Sequence, residues 1–160
     1  PFMVELVRDF DVTTQCGILD ENEVVYIERV RNKSIVNLDF DIGSRFPAHC
    51  TSLGKVLLAF TDNLKRQSII AKANLTKMTP YTITSKEMLF KELNVIKSLG
   101  YATSNQELNQ GLYGLAVPIF NNGVIEASLG VSMLHDINSN QLFFENILGR
   151  LKAISQDVSL

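Results

Sequence analysis

The stretch Arg45-Phe46-Pro47-Ala48-His49-Cys50-Thr51-Ser52-Leu53-Gly54-Lys55-Val56-Leu57-Leu58-Ala59-Phe60 turns abruptly from a stiff loop into an apolar-faced helix. Pro47 fixes its own φ and drives Phe46 toward extended backbone, so the helix is expected to begin after it. Thr51 or Ser52 can cap the first turn, and Leu53, Val56, Leu57 and Phe60 then recur at i, i+3, i+4 and i+7. Gly54 in that turn leaves room for a small molecule to approach the free N–H groups at the positive end of the helix dipole, an arrangement able to hold a carboxylate. The same pattern also fits an ordinary capped helix whose glycine serves only close packing.

Toward the N-terminus, Cys16-Gly17-Ile18-Leu19 and Val24 to Val30 flank the polar Asp20-Glu21-Asn22-Glu23 and read as two strands joined by a four-residue hairpin loop. Ile35 to Phe40 alternates as a third strand with one wet face, ended by Gly43, and Phe2, Met3, Leu6, Val7 and Phe10 line one stripe of a short helix. Toward the C-terminus, Asp62 or Asn63 should cap a helix running to about Ala73, and Thr76 to Thr84 is a loop. Ser85 should cap a helix with Leu89, Leu93 and Ile96 on one stripe and Gly100 as its terminator. A strand at Tyr101 to Ser104, a polar loop from Asn105 to Gly111, a hairpin around Asn122-Gly123 and a helix from near Ser139, with Phe143, Ile147, Leu151, Ile154 and Val158 on one face, complete the chain.

The 160 residues suit one domain, and 46% hydrophobic with 20% charged residues suits a packed core rather than disorder. With 15 basic and 17 acidic residues and no Lys/Arg run, the chain offers no nucleic-acid or anionic-membrane patch of its own. No apolar run reaches the ~18 residues a membrane span needs, so a cytoplasmic protein without membrane contact is expected. Cys16 and Cys50 are too few for a disulfide framework. Because the sequence opens on Pro1 without a methionine, it reads as a fragment that has lost an N-terminal partner domain.

Val124 to Met133 places Ala127, Leu129, Val131 and Met133 on one side and Ser128, Gly130 and Ser132 on the other. The second face suits either a strand floor under a ligand-sized cavity or a half-exposed strand. An unbroken ladder from a two-residue Asn122-Gly123 turn would pair Ser132 with Tyr113 and Gly130 with Leu115, whereas a bulge would bring Gly114 to that side. Catalytic signals are weak. His49 and Cys50 are adjacent, so in extended backbone their side chains diverge, and no His, Cys, Asp or Glu spacing matches a metal or two-carboxylate site. No catalytic residue, metal or cofactor is expected, although a thiol enzyme using Cys50 stays open as an alternative.

The stretch from Arg45 to Ala59, Gly100-Tyr101-Ala102 leading to Gln106-Glu107-Leu108, Gly111-Leu112, Leu115-Ala116-Val117-Pro118 and Leu129-Gly130-Val131-Ser132 together resemble the effector-binding domain of IclR-type bacterial transcription regulators. Thr79 to Thr84 and Pro47 to Ser52 look most like the branch controlling protocatechuate and other β-ketoadipate-pathway genes. The resemblance implies an α/β (α+β), GAF-like domain over 1–160 with a curved antiparallel sheet flanked by helices. It also implies an N-terminal winged helix-turn-helix domain outside this sequence, through which alone operator DNA is contacted, and self-association as a dimer or tetramer. Carried over by motif, the N–H groups of Ser52, Leu53 and Gly54 would receive the carboxylate of a small organic acid effector, and Ser104, Leu112, Gly114, Gly130 and Ser132 would line the rest. Ser104 stands where relatives often carry an acidic residue and Gly130 where many carry serine. Fewer polar groups and more space favour a bulkier organic acid, for which the branch resemblance implies an aromatic one, or else a dimerisation module with a vestigial pocket.

Overall fold

Among the residues the computed structural model describes, 1–31, 42–135 and 140–160, six strands form one antiparallel sheet. They are β1 (Thr13–Asp20), β2 (Glu23–Val30), β3 (Arg45–Pro47), β4 (Ala102–Asn105), β5 (Leu112–Asn121) and β6 (Val124–Leu134), in the spatial order β3-β2-β1-β6-β5-β4. Helices α1 (Phe2–Phe10) and α5 (Gln141–Val158) pack on one face, and α2 (Ser52–Phe60), α3 (Asn63–Lys72) and α4 (Lys86–Leu99) on the other. The period-two alternation of β5 and β6 explains both layers. Leu115, Leu129, Val131 and Met133 meet Met3, Leu6, Ile147 and Leu151, while Ala116 joins Leu53, Val56 and Leu57 of α2 and Leu89 and Leu93 of α4.

Helix ends follow the chemistry of their caps. Ser85 Oγ accepts from Met88 N–H at 3.3 Å to start α4, and Gly100 at φ 82° ends it in the left-handed region. The last helix begins at Gln141, with Asn140 Oδ1 accepting from Phe143 N–H at 3.1 Å; the expected start at Ser139 and the expected strand Ile35 to Phe40 lie outside the described residues.

Two sequence expectations are corrected, and a register left open is decided. The first hairpin turns on two residues, not four: Asp20 pairs with Glu23, Glu21 takes φ 53°, and Arg45 on the neighbouring strand ion-pairs both acids, which keeps these polar residues in the ladder. Arg45–Pro47 is likewise an edge strand rather than a loop, with Phe46 opposite Val24. In the last hairpin Asn122 (φ 53°) and Gly123 (φ 79°) make the expected tight turn, but Phe120 pairs with Ile125 and Ile119 with Ala127, so Glu126 is the extra residue of a bulge. Gly114 therefore faces Ser132 and Ala116 faces Gly130.

From Pro47 the chain makes one 3-10 turn, Ala48–Cys50, and enters α2 through Thr51, whose Oγ1 accepts from Gly54 N–H at 3.1 Å. His49 anchors that turn. It is wholly buried; its Nε2–H donates to the Thr76 carbonyl at 3.0 Å, leaving Nδ1 to accept from Asn22 Nδ2 at 3.5 Å. Burial, with the nearby Lys55 charge, holds its pKa below the ordinary 6.5 against the opposing Thr76 bond. Gly54 is a packing requirement, since a Cβ there would stand 2.5 Å from Ala48 O and 2.6 Å from Thr51 Oγ1. Instead of one apolar face, α2 is buried from Ser52 to Ala59 all round.

Two outcomes follow from this junction. Gly54→Ala should destabilise by about 1–3 kcal/mol through overpacking, whereas Gly149→Ala in α5, whose Cβ would meet nothing within 4 Å, should be neutral or stabilising by up to ~1 kcal/mol; urea denaturation reads both signs. A histidine with a depressed folded pKa contributes stability that is present above about pH 6.5 and lost as pH falls through the folded value. The melting temperature should thus drop on acidification below that pH, and His49→Gln should flatten the drop; equal slopes in both proteins would refute the assignment.

Candidate functional site

The start of α2 rests on the sheet because the sheet has no side chains where it lands. A Cβ on Gly114 would come within 2.8 Å of Ser52 Oγ, and one on Gly130 within 3.0 Å of Leu53 Cδ2. Around this contact a cavity opens, lined by seven of the eight residues expected from sequence: Ser52, Leu53, Ser104, Leu112, Gly114, Gly130 and Ser132. Gly54 is the exception. Its N–H is taken by Thr51 Oγ1 and its Cα faces Ala48, so it contributes neither donor nor wall. The N–H groups of Ser52 and Leu53, the first of the helix, take no acceptor from the chain among the described residues.

Gly130 does not leave the spare room expected of it, because Leu53 has moved into that space. The volume open to the centre of a water molecule is about 30 Å³, against about 380 Å³ when the space is counted to the atom surfaces and out through the mouth. The former holds one or two waters, so a larger guest enters only if Leu53 or another wall swings aside. Ser104 Oγ–H donates to the Cys50 carbonyl at 3.0 Å, which leaves its oxygen lone pairs for a guest. Gln15, Tyr26, Cys50, Leu108 and Asn109 also line the cavity and were not found from sequence.

Lys55, one turn into α2, is fully buried. Its Nζ donates to Glu107 Oε1 and Oε2 at 2.9 and 3.0 Å and to Glu92 Oε2 at 3.3 Å. Burial raises the Glu107 carboxyl above its usual range, against the pull of Lys55. The same residue is held by backbone bonds: Asn105 N–H donates to Glu107 Oε2 at 3.2 Å, and Thr82 Oγ1–H donates to the Glu107 carbonyl at 2.6 Å. Lys55 therefore fastens α2 to the loop that supplies Leu108 and Asn109 to the cavity wall. The available signal was a lysine inside an apolar helix, which demands a counter-ion without saying which.

The thiol reading of Cys50 lacks support. Burial pushes its pKa to about 12, Sγ–H points to the Pro47 carbonyl at 3.7 Å, and the His49 ring nitrogens are engaged with Thr76 and Asn22. Among the described residues no group of three or more His, Cys, Asp or Glu side chains could hold a metal ion, and no helix is long and apolar enough to cross a membrane.

Comparison with known proteins agrees with this geometry. The family described as bacterial transcriptional regulator IclR, C-terminal, matches residues 1–160. The HTH-type transcriptional regulator KdgR of Dickeya chrysanthemi is 34% identical over 81% of this chain and 46% of its own length. The p-hydroxybenzoate hydroxylase transcriptional activator of Acinetobacter baylyi is 30% identical over 98% of this chain and 60% of its own. The inducer-binding domain of a PobR double mutant from Acinetobacter, solved with 3-hydroxybenzoic acid, superposes with a TM-score of 0.89 at 29% identity, covering 99% of this chain and 94% of that one. The chain spans about half the length of curated relatives such as KdgR. A sheet that seats a buried helix start over a cavity, matched from end to end by one family, makes this chain a member of the IclR-type bacterial transcriptional regulators, corresponding to their C-terminal effector-binding domain.

Proposed function

We propose that the cavity binds a small organic acid with its carboxylate on the N–H groups of Ser52 and Leu53, and that an aromatic acid is the ligand class. The observation that carries this reading is the pair of unused donors at the buried, positive end of α2, opening on a cavity of apolar and hydroxyl groups. Ligands named for relatives, such as 3-hydroxybenzoic acid for PobR, support an aromatic ring. A ring exceeds the present enclosed space, so binding must displace Leu53 or the loop carrying Leu108 and Asn109. That displacement gives ligand binding a differential effect on two arrangements of the domain, the requirement for any ligand-driven switch. In the cytoplasmic, full-length protein the switch would alter the quaternary arrangement of a dimer or tetramer and so the placement of an N-terminal winged helix-turn-helix domain on operator DNA. The near-closed cavity also suits a second reading, a dimerisation module with a vestigial pocket, which no acid would stabilise against heat.

Calorimetric titration with 3-hydroxybenzoate tests the proposal. Ser52 is the first helical residue and Thr51 before it is extended (φ −124°, ψ 148°), so proline fits there without refolding the turn. Ser52→Pro should weaken binding by about tenfold or more through loss of a donor to a charged group, while Ser52→Ala, which keeps the N–H, should change it less. Unchanged affinity in a folded Ser52→Pro protein would refute the helix-terminus site.

A further inference from the structure

Gln15 lies at the middle of β1, opposite Gly130 of β6, on the cavity side of the sheet. It is only 3% exposed, yet its side-chain amide is half satisfied. Nε2–H donates to Ser132 Oγ and the amide also hydrogen-bonds the Tyr26 side chain, whereas the buried Oε1 has no hydrogen-bond partner among the described residues. An unmet carbonyl oxygen inside a protein carries a desolvation cost that its neighbours do not offset, and in native proteins such a group normally meets a partner in some functional state. The flanking residue shows why the side chain is held there: Thr14 points to the opposite face, where its Oγ1–H donates to Met3 O of α1 at 3.4 Å, so the strand cannot turn Gln15 away without breaking that contact.

We infer that Gln15 is the specificity-determining residue of the cavity, with Oε1 accepting a hydrogen bond from a hydroxyl group of the ligand, so that the effector is a hydroxylated carboxylic acid rather than a bare one. This rests on the acid-binding reading of the same cavity. Ser132 acts through Gln15 as a positioning residue. By accepting from Nε2, together with the Tyr26 side chain that hydrogen-bonds the same amide, it holds Gln15 in the cavity wall with Oε1 left for the ligand. A site built to bond a hydroxyl discriminates sharply against the analogue lacking it, because the buried acceptor is then stranded in the complex.

The test is titration of the 160-residue chain with benzoate, 3- and 4-hydroxybenzoate, and the matching methoxybenzoates, in wild type and in Gln15→Met. Wild type should bind one hydroxybenzoate about tenfold or more tighter than benzoate and should reject its methoxy analogue, which accepts but cannot donate. Gln15→Met, similar in size and without the amide, should abolish the preference, so that hydroxybenzoate and benzoate bind with similar affinity. Ser132→Ala should shrink the same preference, since the amide then keeps only its Tyr26 contact. A hydroxyl preference that survives Gln15→Met, or equal binding of hydroxy and methoxy acids, would overturn the inference while leaving acid binding intact. Failure of wild type to bind any of these acids would instead overturn the proposed function, and the inference with it.

Discussion

The structure depends on one steric constraint, the seating of a helix start directly on a sheet. The first turn of α2 approaches so closely that β5 and β6 can offer only Gly114 and Gly130 beneath it, and the turn leading into the helix can tolerate only Gly54 beside Ala48. Everything functional follows from that approach. It buries the positive end of a helix dipole, leaves two N–H groups without acceptors among the described residues, and encloses the remaining space between them and the sheet. Had either glycine carried a side chain, the helix would stand further off and its first donors would meet water.

A helix buried on every side must also dispose of its one charged residue. Lys55 does so by gripping Glu107, whose loop is held by Thr82 and Thr79, the latter donating to the Gln106 carbonyl at 2.6 Å. Removing Lys55 would strand the buried Glu107, which for buried pairs costs roughly 3–5 kcal/mol, so the pair ties the start of α2 to the loop beside the cavity. The cavity is therefore bounded by one rigid part, the sheet, and one part held by a few strong polar bonds.

Local chemistry was legible wherever it could be decided within a few residues. Ser85 and Gly100 bracket α4, Asn122-Gly123 turns the last hairpin, and the motif series named the family and seven residues that line the cavity. What escaped depended on contacts across the fold. The bulge at Glu126, one of two registers the sequence allowed, shifts every pairing beyond it by one residue, and no residue type decides for it. Gly130 read as empty space because only the structure reveals that Leu53 fills it. Gln15 sits in a strand of threonine, glutamine and cysteine that gives no signal of a buried amide, and the partners of Lys55 come from α4 and from a loop 52 positions away.

The central claim is that the start of α2 receives a carboxylate, and the most direct measurement is a titration of the 15N-labelled chain with 3-hydroxybenzoate followed by amide resonances. The account predicts that the Ser52 and Leu53 amide protons move farthest, in the downfield direction of a new bond to an anion, while the Gly54 amide, already bonded to Thr51, moves less. Saturable binding with the Ser52 and Leu53 resonances unmoved would contradict it.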